Sequence, residues 1–142
     1  MPGLGLLAVD TELAADKTLA QARAVHLESG LELSGYEIHH GLTQARDDSA
    51  LPAVRRIDGE ILGFSAPGGR IWGTYLHGAF DADPFRRWFL DRLRVRAGLP
   101  ALGRIVARFD LEPALDRLAD AVRASLDLGR IRALLGLGSR RA

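Results

Sequence analysis

A change of residue pattern at Asp83-Pro84 divides the sequence into two halves. Before it, short apolar runs are separated by glycine-rich turns, which is typical of β-strands. After it, Phe85, Trp88 and Phe89 recur at helical spacing. Aspartate is a common N-cap, and proline is favoured at the first helical position. The sequence therefore predicts an α/β chain with strands first and helices last.

The first half predicts four strands around a polar middle. Residues 18–26 and 31–40 are the first two, although alanine and leucine in residues 18–26 also suit a helix. Residues 42–56 are polar and contain Pro52, so they are predicted to be irregular. Residues 59–65 and 70–76 flank a Pro-Gly-Gly turn and predict a hairpin.

The second half predicts up to three helices. The helix that begins at Asp83 should end at Gly98-Leu99-Pro100, because glycine and proline terminate helices. A second helix is predicted from Asp110, and Arg130–Leu137 could form a short third one. The second helix has an apolar stripe, formed by Leu111, Leu115, Leu118, Val122 and Leu126.

The composition excludes several classes of function. A chain of 142 residues suggests one domain, and a net charge of +1 gives no reason to expect nucleic acid or an anionic membrane as a partner. The sequence contains no cysteine, which excludes thiolate metal sites and a cysteine nucleophile within these residues. It contains no apolar run of about 18 residues, so we expect a cytoplasmic protein.

His77 is the strongest candidate for chemistry. It follows a predicted strand and precedes Gly78, in a turn that leads to a helix. Loops at strand ends often carry reactive groups in α/β proteins, and a histidine can both accept and donate a proton near neutral pH. On local evidence alone, a histidine satisfied by structural hydrogen bonds remains the more common case.

The segment SGYEIHHG (34–41) places a carboxylate and two imidazoles close together. On a strand, Glu37 and His39 share one face and His40 occupies the other. Glu37 and His39 could hold a metal or orient an amino group of a substrate. Two ligands are too few for a closed zinc site, and a half-exposed polar strand is the alternative interpretation.

Several motifs occur in order: GLGLL near the start, DKTL, GYEIHHG and GTYLHGAFD followed by FRRWFL. This combination resembles the C-terminal glutamine amidotransferase domain of the cobyric acid synthase family in cobalamin biosynthesis, from about Gly3 to Leu93. The related cobyrinic acid diamide synthases are the nearest alternative. The resemblance implies a class I glutamine amidotransferase-like (flavodoxin-like) domain, with residues 1–97 as part of it and 98–142 as its C-terminal helical extension.

The resemblance also implies the chemistry. In the family a cysteine thiolate attacks the side-chain amide of L-glutamine, and a histidine matching His77 acts as the general base and then acid. Many class I relatives carry a glutamate two residues after that histidine, where this chain has Ala79. Tyr36, Glu37 and His39 match a family motif, and we assign them a supporting or substrate-side role.

The expected partners follow from the same resemblance. The ammonia would pass to an ATP- and Mg²⁺-dependent synthetase domain, which amidates an adenosylated corrin intermediate; no cofactor or metal is expected in this chain. Because the sequence has no cysteine, we expect the terminal portion of a longer enzyme, inactive alone and in need of a complementary upstream chain. An incomplete sheet also predicts poor stability or self-association.

Two other functions remain open at this point. One is a non-catalytic interaction or regulatory module derived from an amidotransferase. The other is a metal-binding domain that uses Glu37, His39 and His77.

Overall fold

The computed structural model describes residues 3–137, and the chain divides into two compact units, Met1–Arg108 and Phe109–Ala142. The first unit contains the strands and one helix, and the second contains two helices. Strands precede helices, so the expected α/β order is confirmed. The domain boundary expected at residues 97/98 stays a prediction. The last residues of the expected helical extension, 138–142, lie outside the described part of the chain.

Two long strands form the framework of the first unit. Strand β1 is Val9–His26 and strand β2 is Leu31–Ala45, and they pair antiparallel across a short turn. The alternation between buried and exposed residues along 22–26 and 31–37 explains the pairing, because one face packs on the core and the other meets solvent. The pairing register shifts between Leu13 and Thr18, which marks an irregularity in β1.

Four short strands complete the sheet: β3 Leu51–Arg56, β4 Ile61–Ser65, β5 Trp72–Thr74 and β6 Leu76–His77. All strand pairs within residues 3–137 are antiparallel. The predicted hairpin is present as β4 and β5, but β5 ends at Thr74, and Leu76 pairs with Glu37 of β2 instead.

The irregular stretch expected at residues 42–56 is confirmed only for residues 46–50, which form turns and bends, and is wrong for the residues on either side. Residues up to Ala45 continue β2, because β1 is long enough to pair with them, as in Thr11 opposite Thr43. Pro52 lies within β3, and the register with β4 shifts directly after it. Proline has no backbone N–H, so a strand accommodates it where the regular ladder is interrupted.

The sheet curls until its two ends meet. The strand order is β5-β4-β3-β1-β2-β6, so β5 and β6 occupy opposite ends of the sheet. Only Tyr75 separates them along the chain, and consecutive Cα atoms are about 3.8 Å apart. The backbone N–H of Tyr75 also donates to the Leu62 carbonyl at 2.9 Å. The inner face of the sheet therefore forms a partly enclosed interior, and the outer face meets solvent.

Helix α1, Asp83–Arg96, covers one end of the inner face. Its Phe85 is fully buried, and it packs in a cluster with Ala24, Leu33 and Val54 from the sheet. The N-cap of α1 is Ala82, not Asp83 as predicted; Asp83 is the first helical residue and forms an ion pair with Arg86. The predicted helix end is confirmed.

Helices α2, Glu112–Ser125, and α3, Leu128–Leu134, form the second unit. Helix α2 starts two residues later than expected, and the Asp110 carboxylate accepts the Glu112 backbone N–H at 3.1 Å. Helix α3 starts earlier than expected, because the Asp127 side chain caps it by accepting the Arg130 backbone N–H at 2.8 Å. None of the helices among the described residues is long and apolar enough to cross a membrane.

Candidate functional site

His77 lies at the end of β6, as the sequence predicts. It pairs with Tyr36 of β2, and Leu76 pairs with Glu37. Leu76 is buried and His77 is exposed, so the His77 side chain lies on the outer face. Gly78 follows in a left-handed conformation, with φ of 84°, and a 3₁₀ turn at Ala79–Asp81 leads into α1. The position of His77 is therefore fixed by two backbone pairs and an abrupt turn.

Tyr36 and Gln21 lie beside His77 on the outer face. Tyr36 is half exposed, and directly paired residues of antiparallel strands have Cβ atoms about 5 Å apart. The Gln21 side-chain amide donates to the Tyr36 hydroxyl at 3.3 Å. We call these three residues the outer cluster. Gln21 was not among the residues predicted from the sequence, although its register opposite Tyr36 follows once the turn between β1 and β2 is known.

Glu37 and His39 lie on the opposite, inner face, which confirms the predicted sharing of a face. The Glu37 side chain is 2% exposed, and its Oε1 atom accepts from His39 Nε2 at 2.8 Å. His39 Nδ1 lies 2.6 Å from the Gly41 carbonyl oxygen. A carboxylate and a carbonyl both accept hydrogen bonds, so both ring nitrogens of His39 face acceptors. Glu37 and His39 therefore form an ordered pair inside the sheet.

Arg56 completes this inner group, although the sequence did not predict it as a site residue. Its Nη1 donates to Glu37 Oε2 at 2.6 Å, and its Nε donates to Asp58 at 2.9 Å. A further short bond joins it to Glu60. The hydrogen bonds to Asp58 and Glu37 raise the pKa of Arg56, and the guanidinium lowers the pKa of Asp58. The buried Glu37 carboxylate is thus held between two donors.

A cavity of about 400 Å³ opens beside this group on the inner face. The Tyr75 ring stacks on His39, with ring centroids 3.9 Å apart. The Tyr75 hydroxyl lies 2.6 Å from the Thr43 hydroxyl, which lies 2.7 Å from the Thr11 hydroxyl. Apolar side chains also line the cavity, notably Val9, Ile61, Leu62 and Phe64.

The four predicted site residues thus fall into two places. His77 and Tyr36 lie together on the outer face, whereas Glu37 and His39 lie on the inner face. The structure does not bring Glu37, His39 and His77 together, so the metal-binding hypothesis is wrong as stated. Among residues 3–137 there is no group of three or more His, Asp or Glu side chains that could hold a metal. The catalytic and substrate-side roles of the four residues stay predictions.

A family model and individual known proteins that are similar to this chain point to the same family. Residues 1–85 match the model of the CobB/CobQ-like glutamine amidotransferase domain. The chain is 44% identical to cobyric acid synthase from Nitratidesulfovibrio vulgaris, over 95% of this chain and 30% of that protein. It is also 44% identical to the adenosylcobalamin biosynthesis bifunctional protein CobDQ from Leptospira interrogans, over 96% of this chain and 16% of that protein.

A third relative is the cobyric acid synthase from Rhodobacter capsulatus, which is 44% identical over 94% of this chain and 26% of that protein. The chain therefore spans less than a third of the length of these relatives. The matched region includes both the outer cluster and the inner group of Glu37, His39 and Arg56.

Proposed function

This chain belongs to the CobB/CobQ-like glutamine amidotransferase domain family, and we propose that it is the histidine-bearing portion of the glutaminase domain of a cobyric acid synthase. The observation that carries the proposal is His77, exposed at the end of β6 within the matched region. The similarity to cobyric acid synthases extends over nearly all of this chain, which favours a cobyric acid synthase over a diamide synthase.

In the proposed reaction, His77 accepts one proton as a general base and then donates it as a general acid. A cysteine thiol gives its proton to the His77 imidazole as its sulfur attacks the side-chain amide carbon of L-glutamine. The imidazolium then donates that proton to the departing nitrogen, so ammonia leaves and a glutamyl thioester remains. Water hydrolyses the thioester to glutamate and restores the thiol. Tyr36, next to His77, would contact the substrate.

The cysteine must come from elsewhere, because these 142 residues contain none. A segment or chain that carries a cysteine on a strand–helix turn would supply it opposite His77. Ala79 occupies the position at which many class I relatives carry a glutamate, so we propose a Cys–His pair. Without the cysteine, this chain would release no ammonia from glutamine.

The remaining parts of the reaction belong to the same proposal. ATP and Mg²⁺ would bind a separate synthetase domain that amidates an adenosylated corrin intermediate. In this chain the Gly68-Gly69 segment lies in the connection between β4 and β5 and offers no lysine for a phosphate, which agrees with that assignment. The finer fold, a flavodoxin-like class I domain, would take its parallel strands from the cysteine-bearing segment. Such an enzyme would work in the cytoplasm.

The test is reconstitution. The full chain is co-expressed with a cysteine-bearing segment from a cobyric acid synthase relative, and ammonia release from L-glutamine is measured. The co-purified pair should be active, and His77→Ala should reduce kcat by about 10²- to 10⁴-fold, the usual contribution of general acid–base catalysis. His40→Ala is the matched control, because His40 is an exposed histidine of β2 outside both groups.

The outcomes separate the hypotheses. An active pair in which His77→Ala retains full activity shows that another residue is the base. A stable pair that releases no ammonia, with the cysteine intact, favours the non-catalytic interaction module. Activity of this chain alone would overturn the requirement for an external cysteine.

A further inference from the structure

The backbones of β2 and β6 come unusually close at Gly35. A Cβ atom on Gly35 would lie 1.9 Å from the His77 carbonyl oxygen and 3.0 Å from its carbonyl carbon. Real Cβ atoms do not approach backbone atoms so closely. The α-hydrogen of glycine that takes this place points toward the carbonyl, which is the arrangement of a weak Cα–H···O contact. Position 35 therefore tolerates only a hydrogen while His77 stays where it is.

Gly78, directly after β6, also lies close to Gly35. A Cβ on Gly78 would lie 3.7 Å from the Gly35 Cα and 3.0 Å from an Asp81 carboxylate oxygen. The positive φ of Gly78 is a conformation that glycine adopts readily and other residues rarely do. The Gly78 carbonyl accepts the Asp81 backbone N–H at 2.8 Å, which closes the 3₁₀ turn. Two glycines thus let the chain pass β2 and turn directly after His77.

Strand β2 is held by its long pairing with β1, whereas β6 pairs with β2 at only two residues. Leu76, next to His77, is buried in the core cluster, and it pairs with Glu37. Glu37 in turn is held by His39 and Arg56. A side chain at position 35 must therefore displace the short β6, which has only two paired residues.

We propose that Gly35 is a positioning residue for His77. Because Gly35 has no side chain, β6 can lie close to β2, and this close approach fixes the position and orientation of the His77 imidazole on the outer face. An effect of this positioning on catalysis rests on the proposed glutaminase function. A displacement of about 1 Å at a reacting group can lower a rate about 100-fold, so the same constraint would matter for proton transfer.

The test compares Gly35→Ala with Gly73→Ala in the full chain. Both glycines lie in strands, but a Cβ on Gly73 would meet only the Leu7 Cδ1 atom, at 3.9 Å. Two readouts follow His77 itself: its imidazole ¹⁵N chemical shifts, and the rate at which diethyl pyrocarbonate modifies it, measured by mass spectrometry. We expect both to change in Gly35→Ala and to stay unchanged in Gly73→Ala. His40 is the internal reference in each variant.

The same variants are then assayed with the cysteine-bearing segment. Gly35→Ala should lower kcat about 100-fold with little change in KM, because it moves the base without removing substrate contacts. If the His77 signals change but no pair, wild type included, releases ammonia, the positioning role stands and the glutaminase proposal fails. If the His77 shifts and modification rate are the same in Gly35→Ala and wild type, the positioning role is wrong whatever the assay shows.

Gly35→Ala could also prevent folding, and a measurement on the wild-type chain covers that case. Nuclear Overhauser effects between the α-hydrogens of Gly35 and those of Gly78 are expected if the two backbones are in contact. Their absence from a folded sample overturns the proposal.

Discussion

His26, at the end of β1, is a buried histidine that does not belong to the candidate site. Its ring contacts Phe85, Trp88 and Trp72, with centroid distances of 4.9, 5.0 and 5.7 Å. The Ser29 backbone N–H donates to His26 Nδ1 at 3.2 Å, so that nitrogen is unprotonated. Burial lowers the pKa of His26 below its ordinary value of 6.5; the charge of Glu28 opposes this shift, and that of Arg92 adds to it.

This residue predicts a pH dependence of stability. Just below pH 6.5 the unfolded chain binds more protons at His26 than the folded chain does, so the free energy of unfolding should fall as the pH drops below 6.5. Urea unfolding followed by tryptophan fluorescence measures it, because both tryptophans pack on His26. His26→Gln should flatten the dependence in this window, and His40→Gln should not. The same slope in His26→Gln and wild type would contradict the assignment.

Strands β2 and β3 are joined by a side-chain contact across a third strand. In the sheet order β1 lies between them, and it presents the small Ala22 and Ala24 on the inner face. Arg56 of β3 lies opposite Ala24 and reaches Glu37 of β2. Removing one partner leaves the other charge buried without full compensation, which is far more costly than losing a surface ion pair.

Arg56→Met should therefore destabilise the chain by about 3 kcal/mol, the lower end of the range for broken buried pairs, because Arg56 is a quarter exposed. Arg55→Met is the matched control, since Arg55 is the exposed neighbour on the same strand, and it should change stability by less than about 0.5 kcal/mol. Chemical denaturation measures both. Glu37→Leu combined with Arg56→Met should cost less than Arg56→Met alone; equal effects of Arg55→Met and Arg56→Met would contradict the role of the pair.

The same elements show what the sequence could predict. Alternation placed Glu37 and His39 on one face, and the glycine after His77 marked the turn, because both are local properties of the chain. Arg56 could not be assigned as the partner of Glu37, since their contact depends on which strand lies between β2 and β3. Residues 42–45 were expected to be irregular because the stretch 42–56 is largely polar and contains Pro52, yet pairing with a long β1 extends β2 through them. Tertiary pairing overrides local propensity there.

At the scale of the whole molecule, the two units differ in how they are stabilised. The first has a buried core around Phe85, whereas α2 and α3 contain no buried residue. Many apolar side chains are exposed, including Leu115 and Leu118 of α2, and the expected self-association or low stability of the chain stays a prediction that they support. A 14-residue helix without burial is only marginally stable in water.

The two units should therefore unfold separately. Both tryptophans, Trp72 and Trp88, lie in the first unit, so fluorescence reports on that unit alone, whereas far-UV circular dichroism also reports on α2 and α3. On heating at low protein concentration, the helical signal should begin to fall before the fluorescence changes. A chain that ends at Arg108 should keep the fluorescence midpoint within a few degrees and lose the early transition. Coincident transitions in the full chain would show a single cooperative unit, because two-state unfolding requires different probes to agree.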